Sequence, residues 1–517
     1  MAATSHSHPP LKGGALIAGT IALSLATFMN VLDSSIANVS IPAISGDLGV
    51  APNQGTWVIT SFGVANAISL PLTGWLTQRF GQVRIFLASV LLFVLASFLC
   101  GLAPTLGTLI AFRVLQGFVA GPMIPLSQTL LLSTYPLRQS GTALAFWSMT
   151  TLIAPVVGPL AGGWITDNIG WPWIFFINVP VGLIAAFATW TLYRRRETPT
   201  RKLPIDRVGL ALLVIWVGAL QIMLDKGREL DWFESREIGV LAIIALVGFA
   251  FFVAWELTDE HPVVELRLFA RRNFLFATIA IAIAYGLFFG NLVLLPLWLQ
   301  QWMGYTATLA GWALAPIGVL AIVFTPVVGR YINRVDLRPV VTASFLIFAF
   351  SMYLRSFFTT DADLATIMIP TLIQGVAMAC FFIPLMAIAL SGLSPERIAS
   401  ASGLTNFARI CAGSFGTSIA TTMWDHRASL HHSQLVEHLE HGSLPTDHFL
   451  DSASRAGLTP EQSLTLLNHG VDTQSFTLAA ADIFYLSALL FVVLIGVVWM
   501  TRPSPGGLAA GAEGGAH

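Results

Sequence analysis

Fourteen stretches of this chain are long and apolar enough to cross a lipid bilayer, and that count limits the fold more than any motif does. A crossing helix needs about 20 apolar residues, because the hydrocarbon core offers its backbone no water to bond. The runs lie at residues 15–38, 54–76, 84–103, 106–132, 141–165, 173–192, 208–224, 238–257, 274–300, 307–329, 339–358, 364–391, 403–424 and 480–501. Composition agrees: 55% of the 517 residues are hydrophobic and 10% charged, against about 25% charged in a soluble domain. An all-α polytopic membrane protein is expected. A net charge of -1 provides no basic field for nucleic acid. Cys100, Cys380 and Cys411 fall inside apolar runs without the spacing of a disulfide framework or zinc site, and read as small buried hydrophobes. The start, "MAATSHSHPPLKGG", lacks the basic region of a removable signal, so the first run reads as a helix that stays.

Basic residues orient the runs. With the N-terminus inside, eighteen Lys and Arg fall in inner loops and tails and five in outer loops, while Arg113, Arg355 and Arg409 lie within runs. Cationic loops stay on the cytoplasmic side, so both termini are expected there. The charged turn "DKGRELDWFESRE" separates runs seven and eight. "GWLTQRFGQVR" after run two is echoed by "GRYINRVDLR" after run ten. Such an internal echo implies two related halves with a site between them. The expected division is a cytoplasmic tail at 1–14, a six-helix half at 15–192, a linker with two extra transmembrane helices at 193–273, a second six-helix half at 274–501 containing an outer loop at 425–479, and a cytoplasmic tail at 502–517.

Two charges inside the runs carry the chemistry. "FMNVLDSSIANV" places Asp33 deep in the first run, and "LIAFRVLQG" places Arg113 within the fourth. An ionised side chain in hydrocarbon costs several kcal/mol unless it meets a partner or a cavity. A carboxylate taken out of water holds its proton more tightly, so it can load from an acidic compartment and unload in a neutral one. The bland alternative is an acid bonded to Ser34 or Asn38. "APVVGPLAGG" puts Pro155 and Pro159 among Gly158, Gly162 and Gly163, a helix that bends and that another helix can touch closely. Glu256, Asp259, Glu260 and Glu265, at the inner end of run eight, read as solvated, and Asp482 as a helix cap or a second carboxylate.

"LATFMNVLDSSIANVSIPAI", "QGTWVITSFGVANAISLPLTGWL", "FRVLQGFVAGPMIPLSQTLLL", "WIFFINVPVG" and "FARICAGSFGTSIATTMW" together resemble the fourteen-span drug-exporter class of the major facilitator superfamily, the EmrB-type inner-membrane component of multidrug efflux pumps. The likeness runs from about residue 14 to the last run. It implies two pseudo-symmetric six-helix halves plus two extra central helices, fourteen in all, and export driven by the proton gradient without a cofactor. It implies proton coupling at Asp33 and Arg113. "GWLTQRFGQVR" is similar to the superfamily's loop signature, with Gly74, Leu76, Arg79 and Gly81 in place. Its acid is replaced by Gln78 and its basic pair by Gln82 and Val83, which depletes the expected latch. "APVVGPLAGG" matches the exporter signature except that Ala154 replaces the first Gly.

A drug site needs apolar and aromatic walls with a few adaptable polar groups. On the runs that line the cavity in this family the candidates are Phe62, Asn66, Trp147, Met149, Tyr285, Phe289, Asn291, Phe381 and Phe382, each with packing or lipid contact as the plain alternative. The resemblance also implies a bacterial inner membrane and two partners, a periplasmic membrane-fusion adaptor and an outer-membrane channel. In the 425–479 segment, "DHRASLHHSQLVEHLEHG" reads as an amphipathic helix for a partner. Its five histidines (His426, His431, His432, His438, His441) lack the spacing of a zincin. Against the drug exporter stand a dedicated exporter of one metabolite or siderophore, and a membrane enzyme or receptor. The last lacks any nucleotide loop, zincin motif or large soluble domain.

Overall fold

A computed structural model describes residues 10–503 apart from 137–138, 202–203, 205, 228, 261, 332–334, 438 and 440–443. Most of both expected tails, together with His438 and His441, lie outside the described residues, and so does the side chain of Pro159. The first half comprises α1 (Gly13–Asp47), α2 (Trp57–Ser69, continuing as Thr73–Phe80 after a 59° bend), α3 (Gln82–Gly101), α4 (Leu106–Thr134), α5 (Ser140–Asn168) and α6 (Trp173–Tyr193). Two extra helices follow, α7 (Arg207–Lys226) and α8 (Arg236–Thr258). The second half comprises α9 (Arg272–Gln301), α10 (Leu309–Gly329), α11 (Leu337–Arg355), α12 (Leu364–Leu390), α13 (Pro395–Val436) and α14 (Pro460–Trp499). Counting the bent α2 as one, twelve of the described helices are apolar and long enough to span a bilayer. Helices α5 and α13 occupy the places of the fifth and thirteenth apolar runs.

Each set of six helices packs closely on itself. In the first half α1 lies along α5 and α6, and α2 along α4; in the second, α9 lies along α13, and α11 along α12 and α14. Helices α7 and α8 are central in the sequence but peripheral in space. Helix α7 packs on α2 and α13, one from each half, whereas α8 packs mainly on α7 and turns Ile243, Leu246 and Phe251 outward. The halves touch along α5 and α10 and again at the end that carries both termini, where Leu11 N–H donates to Thr134 O within the first half and Arg502 N–H to Asn273 Oδ1 beside the second. Here Gly74 of α2 lies against Ser400 of α13, Gly403 of α13 against the Leu70 carbonyl, and Ser402 Oγ donates to Gln128 Oε1. Glycine is required at 74, because a Cβ would run into the Ser400 side chain.

Three expectations need correction. The 425–479 segment is not a loop: α13 runs 42 residues and α14 runs 40, with the short helix Leu444–Arg455 between them. At 1.5 Å per residue each long helix measures about 60 Å, twice the hydrocarbon thickness. A helix satisfies its own backbone in lipid and in water alike, so nothing forces it to stop at the membrane surface. Thr459 and Gln462 form a capping box at the start of α14, with Pro460 in the first turn. The projecting hairpin is tied by Arg427 and His431 to Asp482 (2.5 and 2.7 Å) and by His432 to Asp472 (3.4 Å). Asp482 therefore sits in mid-helix and is no N-terminal cap. Glu256, finally, is buried rather than solvated, because its carboxylate accepts the Val264 N–H at 3.0 Å from the segment that folds back beneath α8.

Candidate functional site

Asp33 and Arg113 meet. Arg113 Nη1 donates to Asp33 Oδ2 at 2.5 Å, and both side chains are 0% exposed. Helix α1 supplies the acid and α4 the base. A sealed pair of this kind is worth keeping only if its remaining lone pairs and N–H groups are also satisfied. Most are. Asp33 Oδ1 accepts from Asn178 Nδ2 of α6 at 2.7 Å and from Gln116 Nε2 of α4 at 3.0 Å. Both amides also donate to Ser97 Oγ of α3 at 2.9 Å. Arg113 Nε donates to the Val58 carbonyl of α2 at 2.9 Å, and Nη1 to Gln116 Oε1 at 2.8 Å. The guanidinium lies over the Phe62 ring at 4.3 Å and near that of Phe175 at 5.5 Å, while Nη2 has no partner. Cys100 Sγ completes the cluster, 3.6 Å from Gln116 Oε1.

The chemistry follows from the donor inventory. Every side chain recorded within hydrogen-bond reach of either Asp33 oxygen is a donor, so the site as built matches the ionised carboxylate. A proton on either oxygen would face an N–H group. Admitting it requires the Arg113 contact to open, or an amide to turn over and present its oxygen. Helices α1, α3, α4 and α6 all contribute side chains to the cluster.

The sequence motifs converge on this cluster from outside. Gly158 and Gly162 of α5 face α1 at Ser35 and Ile36, immediately after Asp33. A Cβ at Gly158 would stand 2.5 Å from Ser35 Oγ, and one at Gly162 2.9 Å from the Ile36 carbonyl. Gly163 has ordinary room, its nearest contact being Val39 at 3.8 Å. The exporter motif is thus the surface on which the helix carrying Asp33 rests. The loop motif lies elsewhere, at the end bearing the termini. Gly81 takes a φ of 95° between α2 and α3, and Arg79 lies over the Trp75 and Phe80 rings at 5.4 and 5.6 Å. Gln78 leaves the motif without its acid, and Glu197 brings one from beyond α6. Its carboxylate accepts the N–H groups of Val83 (3.1 Å) and Arg84 (2.9 Å) and so caps α3.

The substrate candidates do not share one place. Phe62 belongs to the ion-pair cluster, under Arg113. Asn66 is buried in α2 with Oδ1 unpartnered, and Asn291 donates to Leu287 O and to Ser487 Oγ of α14, inside the second half. The aromatic candidates gather between the halves. Trp147 of α5 stacks on Phe382 of α12 at 5.6 Å, and Tyr285 of α9 stacks on Phe289 at 5.7 Å and lies 5.3 Å from Phe381. Met149 lies half-buried on α5. Sequence reasoning missed Ser97, Gln116, Asn178 and Glu197, and it missed Arg409, which joins the aromatic group through Tyr285.

Comparison with known proteins places these features. The Major Facilitator Superfamily model matches residues 23–417. Multidrug export protein EmrB of Escherichia coli K12 is 52% identical over 98% of this chain and 99% of its own length. The protein of that name in Haemophilus influenzae is 51% identical over 97% and 99%. The fatty acid resistance protein FarB of Neisseria gonorrhoeae is 48% identical over 96% and 98%. Among solved structures, the human organic anion transporter MFSD10 superposes with a TM-score of 0.59 over 95% of this chain and all of that one, at 12% identity, a likeness of fold alone.

Proposed function

The chain belongs to the Major Facilitator Superfamily, and from that premise we propose that it is a proton-driven multidrug exporter that moves hydrophobic or amphipathic toxic compounds out of the cell by alternating access. The observation that carries this reading is the sealed Asp33–Arg113 pair, whose acid is surrounded by donors. A proton arriving from the acidic side neutralises Asp33, breaks its match to Arg113, Gln116 and Asn178, and loosens the contact of α1 with α4 and α6. Arg113 then keeps Val58 O, Gln116 Oε1 and the Phe62 ring as partners. Rocking of the halves exposes Asp33 to the neutral side, where it gives up the proton and the cluster closes again. The supply of energy is ample, about 2.3 kcal/mol for each charge crossing 100 mV.

Relatives named for multidrug export and for fatty acid resistance support a broad, amphipathic substrate range over export of one metabolite or siderophore. The resemblance also supports a bacterial inner-membrane location with both termini cytoplasmic. In that orientation the α13–α14 hairpin projects into the periplasm, where a membrane-fusion adaptor leading to an outer-membrane channel would meet it. The proton is the only coupling partner this reading needs.

The test is proton flux in liposomes of purified protein under a pH gradient, on adding a lipophilic drug. Drug-dependent flux is expected in the wild type and its loss in Asp33→Asn, with drug binding retained. Flux that persists in the variant would move the coupling group elsewhere.

A further inference from the structure

Arg409 is a cation in the middle of the bundle with no acid to neutralise it. It lies about 20 Å along α13 from its start at Pro395, well within the thickness of the membrane. Its Nη1 donates to Tyr285 Oη at 3.2 Å, and its guanidinium lies over the Tyr285 ring at 4.9 Å and the Phe382 ring at 5.3 Å. Among the described residues no carboxylate comes within ion-pair distance of it. Arg113, equally deep in the protein, has Asp33 at 2.5 Å. The two also differ in access: Arg113 is sealed at 0%, whereas Arg409 keeps 7% exposure.

A guanidinium stays charged under all biological conditions and carries five N–H donors in a rigid fork that fits a carboxylate. One hydrogen bond and two ring faces leave most of that capacity unused. Cation–π contacts weaken the penalty for a charge at this depth without cancelling it. Close packing holds the arrangement in place, since Gly286 beside Tyr285 touches the Ala412 carbonyl of α13 so closely that a Cβ would lie 2.8 Å from it. Asn406, one turn before Arg409 on the same helix, has a buried Oδ1 without a partner. Trp147 reaches the group from the other half through its stack on Phe382.

We propose that Arg409 is the anchor for the head group of an amphipathic monoanion, a carboxylate or phenolate whose apolar body lies among Tyr285, Phe289, Phe382 and Trp147. This rests on the exporter reading above and adds an order of preference to it: anion over neutral compound, and neutral compound over cation. It also fixes the electrical sign of transport. An anion leaving while one proton enters moves two charges in the same direction per turnover, a neutral compound one, and a monovalent cation none. The membrane potential therefore drives export most strongly for the substrates Arg409 selects.

The experiment compares three probes with one twelve-carbon chain, dodecanoate, dodecanamide and dodecylammonium. Their binding to the purified full-length protein is measured by tryptophan fluorescence in wild type, Arg409→Gln and Arg409→Lys. A charge-assisted hydrogen bond is worth enough to favour the carboxylate over the amide by about ten- to hundredfold. The expected result is that preference in the wild type, its collapse to near unity in Arg409→Gln, and partial recovery in Arg409→Lys, which also shows that the position tolerates substitution. Equal binding of carboxylate and amide by the wild type, or a preference that survives in Arg409→Gln, overturns the assignment and leaves the exporter reading standing. Failure of all three probes to bind the wild type also overturns the assignment, while the exporter reading stands or falls on the proton-flux test.

Discussion

Each half of the bundle buries an arginine beside a glutamine, and among the described residues only the first half supplies an acid to it. In the first, Arg113, Gln116 and Gly117 stand on α4; in the second, Thr371, Gln374 and Gly375 repeat the spacing on α12 while the cation, Arg355, comes from α11. The glycines keep equivalent roles: Gly117 touches the Phe62 backbone of α2, and Gly375 the Ile317 carbonyl of α10. Arg355 Nη2 donates to Gln374 Oε1 at 2.6 Å and to Thr371 Oγ1 at 3.1 Å, and Nε is left without a partner. Helix α9, the counterpart of α1, contains no Asp or Glu. The two clusters share a spacing, but among the described residues only the first holds a carboxylate. On the proposed reading, coupling is confined to the first half and the second is left to serve the substrate.

The largest test of that contrast removes each arginine in turn. Arg113→Met strands Asp33 as a buried charge, which costs about 3–5 kcal/mol, and it is expected to abolish drug-dependent proton flux and lower the unfolding temperature sharply. Arg355→Met deletes a buried cation along with its desolvation penalty. The acceptors it leaves on Gln374 and Thr371 cost about 1–3 kcal/mol, partly offset, so flux should persist with a modest loss of stability. Equal loss of flux in both variants would show that coupling is shared between the halves.

A smaller effect is expected at the amides. Asn178→Leu removes one of two amide donors to Asp33 Oδ1 and leaves Gln116 in place. A hydrogen bond to a charged group contributes about 1.5–3 kcal/mol, so drug-coupled flux should fall roughly tenfold at a given pH gradient. The same change at Asn291, whose amide serves Ser487 inside the second half, should alter stability but not coupling. If Asn178→Leu and Asn291→Leu affect flux alike, Asn178 is only a packing residue.

These residues also mark how far the sequence could be read. Asp33 and Arg113 stand out because a charge in an apolar run demands a reason. Ser97, Gln116 and Asn178 do not, since neutral polar residues are common in membrane helices and their partners come from three different helices. Asn178 is 145 positions from Asp33, and no spacing rule reaches that far. Twelve of the expected spans and their order followed from hydropathy, but the lengths of α13 and α14 did not. A window tuned to lipid loses a helix once it enters water, so residues 425–442 read as a separate amphipathic helix and 460–479 as loop. The sequence did carry a signal, Thr459-Pro460-Glu461-Gln462, which is a helix start by its own chemistry. Arg409 was read as one of three basic residues within runs, and its lack of an acid became visible only when every neighbouring helix was in place.

The finest test concerns the surface on which α1 rests, where two adjacent glycines differ. At Gly162 a Cβ would stand 2.7 Å from Ile36 Cγ1 and 2.9 Å from the Ile36 carbonyl, and backbone cannot move aside without shifting α1. Gly162→Ala should therefore cost about 1–3 kcal/mol of overpacking and slow export, because the displaced segment follows directly on Asp33. At Gly163 the nearest atom, Val39 Cγ1, lies 3.8 Å away, an ordinary contact. Gly163→Ala should leave export near wild type and gain a little stability from the better helix former. The pair shares a helix, a motif and a substitution, so differences in membrane insertion or expression cannot mimic the outcome. Equal tolerance at both positions, measured as drug efflux and unfolding temperature, would mean that close approach of α5 to the Asp33 segment plays no part in the cycle, and that the first half couples through α4 and α6 alone.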